Sequence, residues 1–119
     1  GDFGALREML VQPGTVLGLG DGGAHCGILC DASLPTYMLS HWARDRDRGD
    51  RLPLEQAVHL QTRQTAELYG FDDRGLLAPG YLADLVVLDQ DLTRIPAQAI
   101  DRAQVRATVV GGRVVYSKP

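Results

Sequence analysis

The stretch from Val105 to Tyr116 constrains the fold more than any other part of this chain. Two runs rich in β-branched residues flank Gly111-Gly112. Paired glycines between such runs predict a hairpin with a two-residue turn, because both central positions can take a positive φ. Pairing across that turn puts Val105, Ala107, Val109, Val114 and Tyr116 on one face. Arg106, Thr108 and Arg113 go to the other, with Val110 and Val115. One face therefore needs a second layer to cover it. Ala83 to Leu88, bounded by Asp84 and Asp89, is a further β-type run.

Upstream the period changes from strand to helix. Leu6, Met9 and Leu10 suit a short amphipathic helix ended by Pro13-Gly14. Leu34, Met38, Leu39 and Trp42 form an apolar stripe whose helix would start at Ser33, with Pro35 in its first turn. A stripe of this kind belongs to a core before it belongs to a cofactor. Arg44-Asp45-Arg46-Asp47-Arg48 alternates charge and reads as a solvated face. Pro53 opens another helix, with Leu54, Ala57 and Val58 on its buried side. Thr62, Thr65, Ala66 and Tyr69 continue at similar spacing, or Thr62 instead caps a second, shorter helix, and Gly70 sits where a helix C-cap takes a positive φ. Asp91 to Asp101 is weakly patterned and reads as a loop with a helical turn.

The chemistry-bearing stretch is Val16-Leu17-Gly18-Leu19-Gly20-Asp21-Gly22-Gly23-Ala24-His25. Thr15 to Leu19 reads as a short buried strand that delivers Asp21 to a loop. Glycines on both sides allow a tight turn and the close approach of a substrate or metal. Asp21 is thus a candidate catalytic acid, with Gly22, Gly23 and His25 beside it. On local sequence alone, an aspartate that simply caps a turn accounts for the pattern as well. Gly18 to Gly23 also matches the dinucleotide fingerprint G-x-G-x-x-G, but no helical stripe begins within the glycines. Cys26 and Cys30 lack a second cysteine pair to complete a zinc site. His41 and His59 fall on predicted helices, which leaves His25 as the histidine nearest a site. No serine elbow and no H-E-x-x-H occur.

A net charge of −3 gives no electrostatic footprint for nucleic acid or for acidic membrane surfaces. No apolar run approaches the roughly 18 residues of a membrane span. Two cysteines and the absence of a leader pattern point to a cytoplasmic protein.

Several of these segments together carry a resemblance. Leu17 to His25 resembles the segment around the last barrel strand of the amidohydrolase superfamily, and within it the N-acyl-D-amino-acid deacylase (D-aminoacylase) group. Cys30-Asp31-Ala32-Ser33-Leu34-Pro35-Thr36-Tyr37, Leu52 to Val58 and Asp73-Arg74-Gly75 continue it. Pro79-Gly80-Tyr81-Leu82-Ala83-Asp84-Leu85-Val86-Val87 is similar to the pattern that enters the superfamily's small β-domain. The final hairpin resembles that domain's closing strands.

The resemblance implies an α/β fold: the C-terminal end of a metal-dependent (β/α)8 barrel over residues 1–75, with strands of the small β-sandwich domain over 76–119. It implies zinc in the complete enzyme and an N-acyl amino acid or related amide as substrate. Asp21 would be both metal-associated and the general acid/base, with Gly22, Gly23 and His25 on the substrate side. Gly20 stands where the family often has serine, and the family's H-x-H pair and later metal histidines have no counterpart here. At 119 residues the chain is too short for an eight-stranded barrel of about 250 residues. It is therefore expected to be inactive alone and to form homo-oligomers through its unpaired β-segments. The alternative is a small, non-enzymatic interaction domain.

Overall fold

The computed structural model describes residues 2–18, 20 and 31–119. They fall into two compact units, one ending at Gln61 and the other running from Thr62 to Pro119.

The first unit is helical. Helix α1, Gly4–Leu10, follows Phe3 at a φ of 55°, and Asp2 Oδ1 accepts the Gly4 N–H at 3.0 Å. After it, residues 15–18 are irregular rather than the expected strand, and Leu19 lies outside the described residues. A strand exists only through its ladder to a neighbour, and the described residues offer these positions none. Leu17 nevertheless packs, with Leu10, Val11 and Met38, against a core of Trp42, Leu52 and Leu60.

The predicted helix around Trp42 forms in three pieces. A 3₁₀ turn, Asp31–Ser33, leads into α2, Leu34–Tyr37, which widens into a π-helix over Met38–Asp45. Proline sits in the first turn of α2 as expected, but the Ser33 side chain makes no cap bond. The wider turns break the even spacing of the apolar stripe. Trp42 is buried while Leu34 remains exposed. Helix α3, Leu54–Gln61, buries Ala57 and Leu60, leaving Val58 outside.

Arg46 departs most from expectation. It sits in the charge run read as solvated, yet it is only 3% exposed. Its guanidinium lies 5.0 Å from the centroid of the Trp42 ring, and its Nε donates to the Asp50 carbonyl at 3.0 Å. A planar, weakly hydrated cation can be covered in this way, where the neighbouring aspartates cannot. The Arg51 Nε donates to the Arg46 carbonyl at 2.9 Å, and the Leu52 N–H to the Trp42 carbonyl at 2.9 Å. Those two bonds close the turn that brings Leu52 into the core.

The second unit begins with α4, Arg63–Leu68, whose N-cap is Thr62. Its C-terminal Gly70 has a φ of 74°. Three strands follow, β1 Leu85–Leu88, β2 Val105–Val110 and β3 Arg113–Ser117, forming one antiparallel sheet in the order β1-β2-β3. A 3₁₀ helix, Ala97–Arg102, occupies the weakly patterned stretch between β1 and β2.

The hairpin forms at the expected turn, with Gly111 and Gly112 at φ 54° and 76°. Its faces differ from the simple alternation. Val110 opposes Arg113 and Val109 opposes Val114, but the register then shifts and Thr108 opposes Tyr116. Val115 is the extra residue of a β-bulge, and a slip of one residue moves everything beyond it to the other face. Tyr116 therefore joins Thr108 rather than Ala107. A second shift between β1 and β2 leaves Arg106 without a direct partner, since Val87 opposes Ala107 and Leu88 opposes Val105. All of β3 is exposed.

Candidate functional site

Asp21, Gly22, Gly23 and His25 lie outside the described residues, as do Cys26 and Cys30. The described flanks show what anchors the stretch on its N-terminal side. Leu17 is held against the Trp42, Leu52 and Leu60 core, and Gly18 follows it. The anchoring comes from helices of the same unit rather than from a sheet.

His41 is placed within that unit by ring contacts. It stacks on Tyr37 at 4.8 Å between centroids and meets Trp42 edge-on at 5.4 Å. Its Nε2 is buried and without a hydrogen-bond partner. The sequence pattern places His41 on a helix but carries no sign of this stacking. His59 is exposed on α3.

The described residues contain no group of three or more His, Cys, Asp and Glu side chains that could hold a metal. A catalytic zinc site ordinarily takes three protein ligands. The described part of the chain therefore does not fit such a site.

The structure does explain the quoted segments that lie in the second unit. Asp84 Oδ1 accepts the Gly111 N–H at 2.7 Å, and its Oδ2 lies 3.6 Å from Arg74 Nη1. The Gly112 N–H donates to the Ala83 carbonyl at 3.0 Å. The Ala-Asp of the quoted pattern thus pins the start of β1 to the hairpin turn. At the far end of β1, Asp89 Oδ1 accepts the Gln104 N–H at 2.8 Å. The two aspartates that bound the run are its fasteners.

Arg63 does similar work for Asp73-Arg74-Gly75. Its Nη1 donates to the Asp72 and Arg74 carbonyls, each at 3.1 Å, while its Nε pairs with Glu67 at 2.6 Å. Gly75 has a φ of 78°, and a Cβ there would stand 2.8 Å from the Arg63 Cα. Only glycine permits both the backbone conformation and that approach. Arg74 in turn stacks over Phe71 at 4.9 Å and pairs with Asp73 at 3.1 Å. A shallow groove of about 400 Å³ runs past Thr65, Ala66, Tyr69, Phe71, Arg74 and Asp84. With Arg74 and Asp84 engaged internally, it offers apolar surface rather than a reactive group.

Comparison with known proteins then bears on the whole. Residues 2–116 match the model of the amidohydrolase family, and the chain belongs to that family. It is 31% identical over 120 residues to a 5-methylthioadenosine/S-adenosylhomocysteine deaminase of Pelotomaculum thermopropionicum, covering 92% of this chain and 28% of the relative. It is 44% identical over 66 residues to a D-aminoacylase of Alcaligenes xylosoxydans xylosoxydans, covering 56% of this chain and 12% of the relative. It is 53% identical over 45 residues to an adenine deaminase of Lysinibacillus sphaericus, covering 38% of this chain and 8% of the relative. The chain thus spans less than a third of the length of these curated relatives. No solved structure matches. No helix among the described residues is long and apolar enough to cross a membrane.

Proposed function

We propose that this chain is the C-terminal part of an amidohydrolase that cleaves a non-peptide C–N bond, of the N-acyl-D-amino-acid deacylase type. The family match over residues 2–116 carries the reading, and the similarity to D-aminoacylase supports the finer assignment. The complete enzyme is a (β/α)8 barrel with zinc, and residues 1–75 and 76–119 are its barrel end and its small β-domain. In it, Asp21 is the group that takes a proton from the attacking water and passes it to the leaving nitrogen. A carboxylate at a glycine-flanked loop has the acidity and the access for that role. Gly22, Gly23 and His25 lie along the substrate. The zinc ligands other than Asp21 come from elsewhere in the complete enzyme.

In the complete enzyme, Asp21→Asn keeps the side-chain shape and removes the base. Turnover of N-acyl-D-amino acids should fall by about a hundredfold or more. Retention of half the activity would make Asp21 a turn residue instead. The 119-residue chain by itself should show no chelator-sensitive hydrolysis, since one aspartate does not make a ligand set.

A second reading, deamination, is favoured by the two similarities to deaminases. It differs in the product: ammonia is released rather than an amino acid and a carboxylate. Assaying both products on both substrate classes separates the readings.

A further inference from the structure

Met38–Asp45 winds as a π-helix for eight residues. Wide turns of this kind occur mostly as single-turn bulges within α-helices, often at functional sites. A longer run needs contacts that hold it. At its end the Arg46 N–H donates to the His41 carbonyl at 2.9 Å, five residues back. An α-helical end would send that N–H to the Trp42 carbonyl, four residues back. Here the Trp42 carbonyl accepts the Leu52 N–H at 2.9 Å instead. The π register and the docking of Leu52 are therefore linked. Tightening to an α-turn would make the Arg46 amide compete with Leu52 for one acceptor.

The Arg46 side chain reinforces the wide arrangement. Its guanidinium lies over the Trp42 ring at 5.0 Å while its Nε donates to the Asp50 carbonyl at 3.0 Å. One buried planar group thus ties the π-helix to the turn that returns the chain to Leu52. Gly49 completes the fit: it has a φ of 96°, and a Cβ there would stand 2.8 Å from Arg46 Nη2. All of these contacts lie within residues 38–52. Leu17 and Met38 pack against the Trp42, Leu52 and Leu60 core that this arrangement assembles. Asp21 follows Leu17 by four residues in the sequence.

We propose that Arg46 is a positioning residue: it latches residues 38–52 in the arrangement that seats Leu17, and so fixes where the chain leading to Asp21 departs. This rests on the reading of Asp21 as the general acid/base. In the complete enzyme, Arg46→Lys keeps the charge and loses the planar face and the Nε donor. Gly49→Ala pushes on the same guanidinium from the turn. Either change should lower kcat for N-acyl-D-amino acids by about tenfold or more, because small misplacements of a reacting group are costly. KM and metal content should hold. Each change should also speed hydrogen exchange of the Leu52 amide, and the double variant should do no more than one alone, since both release one latch. Arg48→Lys, at an exposed neighbour, should alter neither readout. A Leu52 amide still protected in both variants, an unchanged kcat beside a released amide, or additive losses in the double variant would each overturn the proposal. Asp21→Asn separates it from the reading beneath. Full turnover in that variant removes the acid/base assignment and the positioning role with it; lost turnover there, beside an intact kcat in Arg46→Lys, removes the positioning role alone.

Discussion

The two units of this chain are held together by different physics. In the first, apolar burial dominates: Trp42, Leu52 and Leu60 form the core, and Leu52 is 1% exposed. Even its buried cation, Arg46, is accommodated by lying on an indole. In the second, the sheet contributes little burial, and every residue of β3 is exposed. Order there depends on fasteners: Arg63 on the 72–74 backbone, Gly75 against Arg63, and Asp84 and Asp89 at the ends of β1. Such bonds specify geometry but add only modest stability each. The segments that carry the family resemblance fall in both units, so sequence likeness alone does not say which physics maintains a position.

Removing apolar volume should break the first unit most. Leu52→Ala is expected to cost about 3–4 kcal/mol, the range for a fully buried leucine whose surroundings cannot collapse. The chain has one tryptophan, and Trp42 lies in that core, so its fluorescence during urea unfolding reads the effect in place. Val114→Ala, at a residue 64% exposed, should shift unfolding hardly at all. Equal costs for the two would erase the distinction between the units.

The second unit should respond most to backbone changes. Gly75→Ala combines a φ of 78° with a Cβ 2.8 Å from the Arg63 backbone. Strain and overlap together should cost about 3 kcal/mol. Gly80→Ala has a φ of 91° but meets nothing within 4 Å, so only the conformational part remains, about 1 kcal/mol. Amide hydrogen exchange along β2 reports both. The difference between the two glycines measures the close approach to Arg63 apart from backbone strain.

How much of this was legible in the sequence follows the same division. The hairpin was legible because Gly111-Gly112 is a local signal, and β1 because its apolar run ends in aspartates. The bulges at Val115 and Arg106 were not, because a one-residue insertion leaves the alternation of residue types intact. Simple alternation accordingly puts Tyr116 on the wrong face. The burial of Arg46 was illegible for another reason: its neighbours Asp45 and Asp47 make a solvated run the economical reading. Only the return of the chain at Asp50 to Leu52 reveals the pocket for its guanidinium. For the site, the pattern around Asp21 pointed to a family that the comparisons support. The strand expected to deliver it did not form at residues 15–18, because a barrel strand is defined by neighbours that periodicity cannot supply.

Asp84 tests whether the fasteners act singly. Asp84→Ala removes the acceptor for the Gly111 N–H and the charge facing Arg74. The groups are partly open to water, so the expected cost is about 1 kcal/mol. The signature is local: faster exchange of the Gly111 amide, with β2 protection reduced only slightly. Loss of protection along the whole of β2 would make Asp84 a keystone rather than one fastener among several.

The smallest effect concerns acid, and it separates charge from packing. The Thr93 hydroxyl and amide both donate to Asp91 Oδ1, at 2.5 Å and 2.9 Å. These bonds, the hydroxyl first, hold the Asp91 carboxyl below its ordinary value of 3.8. A carboxyl depressed in the folded state stabilises it fully above the unfolded value, and that contribution is lost as pH falls through the folded value. Acidification from pH 4 downward should therefore loosen the turn at residues 91–94 before it alters the Trp42 core. The Thr93 amide resonance should titrate with a midpoint below that of a free aspartate, and Asp91→Asn should abolish the titration. Because Asp91 is fully exposed, water screens the interaction, and the unfolding midpoint of the chain should barely move. A Thr93 midpoint at or above the free value would mean that the hydroxyl bond does not persist in solution.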